Sequence, residues 1–205
     1  MAKEIQEINK LFQYSLIVMF FFGFLYNYLI DDWYSVIVTL ISPIVVFMPQ
    51  ILKWFKLKIP DDYVFMYLIL VFAGLFIGET VGVYIFTYWY DKLVHGFSGI
   101  LLFVLGLAIT YKRFGYAHIK NNFWKVFIYC LFFALLIELV WETIEVSNDF
   151  FIGTNMTQDG LRDTTLDLTM TILGSTFAGI LTYINIHVRK VWFIDQYIKE
   201  LAKKE

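Results

Sequence analysis

The sequence predicts an all-α, polytopic membrane bundle of six transmembrane helices with both termini in the cytoplasm. Three observations carry this. Hydrophobic residues make up 60% of the 205 residues against 17% charged, and the mean hydropathy is +0.67, outside the soluble globular range. Six apolar runs approach the roughly 20 residues a helix needs to cross the hydrocarbon of a bilayer. Lys and Arg alternate between successive connections, as the positive-inside rule requires of a multi-pass chain. The lipid bilayer is therefore the expected solvent, and the chain reads as a single membrane domain over residues 1–205. A net charge of −2 and a pI near 5.9 leave no basic surface for nucleic acid.

The runs are 11–30, 33–54, 63–79, 91–111, 123–146 and 161–187. The first ends in Tyr26, Asn27 and Tyr28 with no small-residue cleavage site, so it reads as a retained helix rather than a signal peptide. In the second, Pro43 removes a backbone donor and is expected to kink the helix. The third is short, with 81–90 continuing as an interfacial turn; Gly74, Gly78 and Gly82 at four-residue spacing are expected to admit a neighbouring backbone. The fifth contains Cys130, the one cysteine, which excludes an intrachain disulfide and reads as a small apolar residue. Beyond the sixth, the tail 188–205 mixes Trp192, Tyr197, Ile198 and Leu201 with lysines and predicts an interfacial helix. The first ten residues, with Ile5 and Ile8 among charges, predict another. Trp33, Trp54, Trp89, Trp124 and Trp192 fall at the ends of predicted helices, where an amphipathic ring is favoured; Trp141 does not.

Orientation follows from the basic residues. Lys3, Lys10, Lys53, Lys56, Lys58, Lys112, Arg113, Lys120, Lys125, Arg189, Lys190, Lys199, Lys203 and Lys204 are 14 of the 16, all assigned to the cytoplasmic side; Lys92 and Arg162 fall opposite. The acids sort the other way, with 11 of 18 at or below the outer face. Several repeat at helical spacing: Asp91 with His95, Glu138 with Glu142 and Glu145, and Asp163 with Asp167. Residues three or four apart share a helix face, so three helices each present a polar stripe at a similar outer depth. At 1.5 Å per residue, Glu142 and Asp167 lie about one turn inside their helix ends and Glu138 roughly 12 Å in.

A charge at that depth costs about 2.5 to 3.5 kcal/mol on insertion scales, so these groups are expected to face the bundle interior and find partners. Carboxylates with one imidazole suit a divalent ion such as Zn²⁺, Mg²⁺, Mn²⁺ or Ca²⁺, with Asp91, His95, Glu142, Asp163 and Asp167 as candidate ligands and Glu145 or Glu138 as general base. The same set also suits a proton relay or cation path. Singly, Asp91 and Asp163 are also explained as acids near a helix N-terminus, and His95 as a packing residue. Asp31, Asp32 and Asp149 read as solvated loop residues, and Lys92 and Arg162 as local partners of the acids. Ser98 near His95 and Thr164 beside Asp163 fit no known nucleophile motif. Neither a phosphate-binding glycine loop nor a dinucleotide fingerprint occurs.

Over roughly residues 60–185 the sequence resembles the YjdF-like family of bacterial inner-membrane proteins and, more distantly, the VanZ-like proteins. Asp91, Lys92, His95 and Gly99 match one family motif and Glu142 with Glu145 a second; Gly153, Thr154, Gln158, Asp159, Asp163, Thr164, Asp167 and Gly174 resemble a third. Gly96 stands where the family has Phe, Val146 where it has Trp, and 155–157 resembles a short insertion. The resemblance implies a helical membrane fold and a polar site on three consecutive helices, with no settled activity; through the VanZ-like proteins it points to the cell envelope. Three readings stay open: a metal-dependent membrane enzyme acting on a lipid or envelope precursor, a cation or proton-coupled transporter, and a non-catalytic envelope accessory protein.

Overall fold

The computed structural model describes residues 2–57, 59–154, 156–157 and 159–203. Lys58 and Lys204 of the charge pattern, Asn155 and Gln158 of the third motif, and the side chains of Lys3 and Lys203 lie outside the described residues. Among the described residues the secondary structure is entirely helical, in two compact units, Met1–Val94 and His95–Glu205. Five helices among the described residues are long and apolar enough to cross a membrane, and a bent pair makes a sixth candidate.

The first unit begins with α1, Ala2–Leu29. It absorbs residues 2–10 of the stretch expected to form a separate interfacial segment, because no proline or glycine interrupts them. Asn9 and Gln6 instead donate to the backbone carbonyl and side chain of Asp61, each at 2.9 Å. Asp32 is no free loop residue. Its carboxylate caps α2 (Trp33–Val46) by accepting from Ser35 N at 3.2 Å and Ser35 Oγ at 2.6 Å.

α3, Met48–Trp54, follows α2 at a bend of 45°. The bend lies at Phe47, past Pro43 and just before Pro49, so Pro49 accounts for it better than Pro43 does. Pro49 has no N–H for the carbonyl of Val45, four residues back. Tyr67 Oη donates to that carbonyl at 2.7 Å. The neighbouring Val46 carbonyl is met by Gln13 Nε2 at 3.1 Å, and Gln13 also pairs with Gln50. Side chains thus replace the backbone bonds lost at the break, as low-dielectric surroundings demand.

α4, Asp61–Val71, runs into a π-helical stretch, Phe72–Thr80, in which Thr80 Oγ1 and Val81 N reach back five residues to the carbonyls of Leu75 and Phe76 at 2.9 Å. The glycines here differ from expectation. Gly78 is covered by the ring of Tyr84 and Gly74 by the Tyr84 hydroxyl and the Val94 side chain, not by another backbone, and Gly82 (φ 81°) supplies a left-handed turn into the short α5, Val83–Phe86.

α6 spans Tyr88–Asn121, longer at both ends than the predicted run, and is interrupted at Gly115 (φ 75°, ψ 171°). In the second unit it packs with α7 (Phe123–Ile152) and α8 (Leu161–His187). Small residues bring these helices together. A Cβ on Gly174 would collide with the carbonyl of Gly96, and one on Gly99 would stand 2.5 Å from the carbonyl oxygen of Thr171. Thr171 Oγ1 and Ser175 Oγ then donate to the carbonyls of His95 (3.3 Å) and Gly99 (3.0 Å). Gly106 lies against the backbone of Cys130 and Gly179 under the ring of Phe127, so all three helix pairs close at a small residue.

α7 runs to Ile152, six residues beyond the predicted run, and is capped by Gly153 (φ 81°). Asp149, expected to be solvated, organises the turn that follows: its carboxylate accepts from Thr154 Oγ1, Met156 N, Thr157 N and Thr157 Oγ1 at 2.5 to 2.9 Å. The tail forms α9, Trp192–Lys203, which buries Ile194, Tyr197, Ile198 and Leu201 on one face. Tyr197 Oη donates to the carbonyl of Val104 at 3.1 Å, so α9 is docked on its unit as well as amphipathic.

Candidate metal centre

Within the second unit, His95, Glu138, Glu142, Glu145, Asp163 and Asp167 are all buried, none more than 5% exposed. Each comes from a stripe three or four residues apart on α6, α7 or α8, and the glycine contacts described above bring those stripes together. His95 Nδ1 pairs with Glu138 Oε1. Its Nε2 faces Asp167 Oδ1 at 3.9 Å. One ligand atom from each of His95, Glu138 and Glu142 lies within 4.8 Å of the others. Neither oxygen of Glu142 has a hydrogen-bond partner among the described residues, although both are buried. The Thr164 hydroxyl on α8 stands near Glu142 without meeting hydrogen-bond geometry, and His95, Asp167 and Glu138 are its ionisable neighbours.

The remaining acids divide. Glu145 accepts from Trp141 Nε1 at 2.7 Å, which accounts for a tryptophan far from any helix end. Asp163 stands one turn before Asp167 on α8 and is 1% exposed. Asp91 stands one turn before His95 on α6 and pairs with Lys92 Nζ at 2.9 Å; both are buried, and the ammonium lies 4.8 Å from the Tyr88 ring centroid. Arg162 is largely exposed and pairs with Asp159 at 3.7 Å, so it does not offset the buried acids of its unit.

The model of a family described as predicted membrane protein (DUF2238) matches residues 8–187. The chain belongs to this family. No curated protein and no solved structure matches the chain. The DUF2238 match contains every buried acid and the imidazole described above.

Sequence reasoning missed several members of the DUF2238 chain's site. Trp141 was visible only as an exception to the aromatic belt. Thr171 and Ser98 have hydroxyls that reach the His95 carbonyl at 3.3 and 2.8 Å, and Ser98 Oγ lies 3.4 Å from Glu138 Oε2. Ser98 stands three residues from His95 but fits no nucleophile motif, and nothing in its spacing marks Thr171, since hydroxyls are common within membrane helices. Ser98 donates to a backbone carbonyl, the geometry of a fixed hydroxyl rather than an activated nucleophile.

Proposed function

We propose that this integral membrane protein holds a divalent cation among α6, α7 and α8 and uses it to activate water for hydrolysis or modification of a lipid or envelope precursor. The carrying observation is Glu142, a buried carboxylate with two unbonded oxygens beside Glu138 and the His95 imidazole, whose Nε2 faces Asp167. Several carboxylates packed this closely need a cation or protons between them. Glu138 holds Nδ1 of His95, which directs Nε2 to the ion, the usual outer-shell arrangement of a ligating histidine. The 3.9 Å between Nε2 and Asp167 suits one ion about 2.0 to 2.2 Å from each ligand. Glu142 supplies the next oxygen, with Asp163, one turn before Asp167 on α8, as a further ligand. Glu145, oriented by Trp141, takes the proton from water; Glu138 is the alternative base.

The same proposal places both termini in the cytoplasm and the centre on the outer side of a bacterial inner membrane, following the loop charges and the resemblance to YjdF-like and VanZ-like proteins. Metal analysis of purified protein tests it. About one Zn²⁺, Mn²⁺, Mg²⁺ or Ca²⁺ per chain is expected, lost in Asp167→Ala and Glu142→Ala. Wild-type protein that retains no divalent ion after loading removes the proposal.

The unbonded Glu142 also favours a second reading, a cation or proton-coupled transporter in which Glu142 and His95 exchange protons. Proteoliposome flux that survives Glu138→Gln and Glu142→Gln excludes that path. A stable Glu142→Gln protein that loses activity in a functional assay argues against a third role, a purely accessory protein whose cluster only locks the helices.

A further inference from the structure

A cleft of about 360 Å³ opens in the second unit where α6 meets α7, away from the carboxylate centre. Thr110, Arg113, Phe114 and His118 line it from α6, and Lys125 and Tyr129 from α7. Gly115 accounts for its shape. The backbone leaves helical geometry for one residue there, so the final turn of α6 departs from the axis. A Cβ at Gly115 would meet nothing within 4 Å, so the positive φ explains the glycine and crowding does not.

The cleft is cationic and unneutralised. From residue 93 to 137 the sequence contains no Asp or Glu, yet it carries Lys112, Arg113, His118, Lys120 and Lys125. Among the described residues no carboxylate pairs with Arg113, His118 or Lys125. Arg113 lies 5.7 Å from the Phe114 ring centroid, and that ring stacks on His118 at 4.7 Å, which holds the two donors beside each other.

The apolar surface leading from the cleft identifies the kind of ligand. Lys125, Tyr129, Phe132 and Leu136 are spaced four, three and four residues apart and share one face of α7. Tyr129, Phe132 and Leu136 are 48%, 66% and 61% exposed, so a cationic mouth continues into an open apolar stripe. The mouth is at the end of two membrane-crossing helices beside Trp124, itself 67% exposed, as expected of a residue at the headgroup level.

We propose that this cleft binds the phosphate of an anionic phospholipid, with an acyl chain lying along Phe132 and Leu136. Arg113 offers a planar fork to phosphate oxygens, Lys125 a point charge and Tyr129 a hydroxyl donor. Basic pockets between membrane helices commonly take anionic headgroups in this way. The site is independent of the metal reading.

Native mass spectrometry of the full chain in micelles containing equimolar phosphatidylglycerol and phosphatidylcholine tests the assignment. The wild type should retain phosphatidylglycerol preferentially, and Arg113→Gln and Lys125→Gln should each reduce that preference about fivefold. Lys120→Gln, outside the cleft lining, should leave it unchanged. Phe132→Asn should weaken retention of both lipids while inorganic phosphate displaces neither. Equal retention of the two lipids by the wild type overturns the proposal. Loss of the preference in Lys120→Gln to the same extent does so too, since general surface charge then explains it. Displacement of lipid by millimolar inorganic phosphate assigns the cleft to a soluble ion and overturns the lipid assignment. Circular dichroism of each variant, matched to the wild type, separates these outcomes from misfolding.

Discussion

Gly99→Ala should loosen the contact that assembles the candidate metal centre. A Cβ at residue 99 stands 2.5 Å from Thr171 O and 2.9 Å from Thr171 Cα, both rigid backbone atoms on α8. Restoring an ordinary contact of 3.4 Å moves the helices apart by about 0.9 Å at that level. The Thr171 hydroxyl, at 3.3 Å from the His95 carbonyl, then passes beyond hydrogen-bonding distance. Overpacking costs about 1 to 3 kcal/mol. The lost interhelical bond adds about 0.6 kcal/mol, and the better helix propensity of Ala returns up to about 1 kcal/mol. A net destabilisation of roughly 1 to 3 kcal/mol follows, measurable by reversible unfolding in mixed detergent micelles. Gly74→Ala is the control: its nearest neighbours stand at 3.4 Å, so its stability should stay within about 0.5 kcal/mol of the wild type. The steric argument is refuted if Gly99→Ala is as stable as the Gly74→Ala control. Bound metal should fall in Gly99→Ala as well, because the same displacement widens the gap between His95 and Asp167.

Other consequences are open to measurement. Glu142→Gln should raise the thermal stability of metal-free protein by about 1 to 3 kcal/mol, because it takes one carboxyl out of a crowded buried cluster that otherwise holds charge or must bind protons, and should abolish stabilisation by added metal; a loss of stability without metal would mean the carboxylate is bonded. Tyr67→Phe should cost about 1 to 2 kcal/mol by leaving the Val45 carbonyl short of a donor, and should cost little in a Pro49→Ala background where a backbone N–H returns; additive effects in that double-mutant cycle would disprove the link. Lys190 and then Lys199 hold the Asp195 carboxyl below the usual carboxylate range, so their support of α9 is present above the unfolded pKa of about 3.9 and is lost as pH falls through the lower folded value. The emission of Trp192, at the start of α9, should therefore respond to acid in the wild type and not in Asp195→Asn.

Membrane character, the helical fold and the last span, at 161–187, were legible in the sequence, because apolar length is a local property that one segment displays alone. The same holds for the stripes of His95, Glu138, Glu142 and Asp167, since i, i+4 spacing states which side chains share a helix face. Ends were less legible. α7 continues six residues past the apolar run, because polar residues such as Ser147 and Asn148 can extend a helix beyond the hydrocarbon. Pro43 looked like the origin of the kink because it lies deeper in the run, yet the break falls at Phe47, where Pro49 removes the donor and Tyr67 and Gln13 stand ready to replace it.

Tertiary structure alone decided which buried groups have partners. His95 meets Glu138 across 43 positions, and Thr171 meets the His95 carbonyl across 76. Periodicity along one helix carries no information about such pairs. It was also the packing of Gly96 and Gly99 against Gly174 and Thr171 that set how close the acids lie. The sequence by itself determined that these acids must face inward, since lipid does not solvate charge. Trp141 and Glu145 stand four apart on α7, a pairing that spacing within one helix permits; only the helix contacts determined that Glu142 is left with open oxygens, because partners from other helices are decided by angstroms between helices.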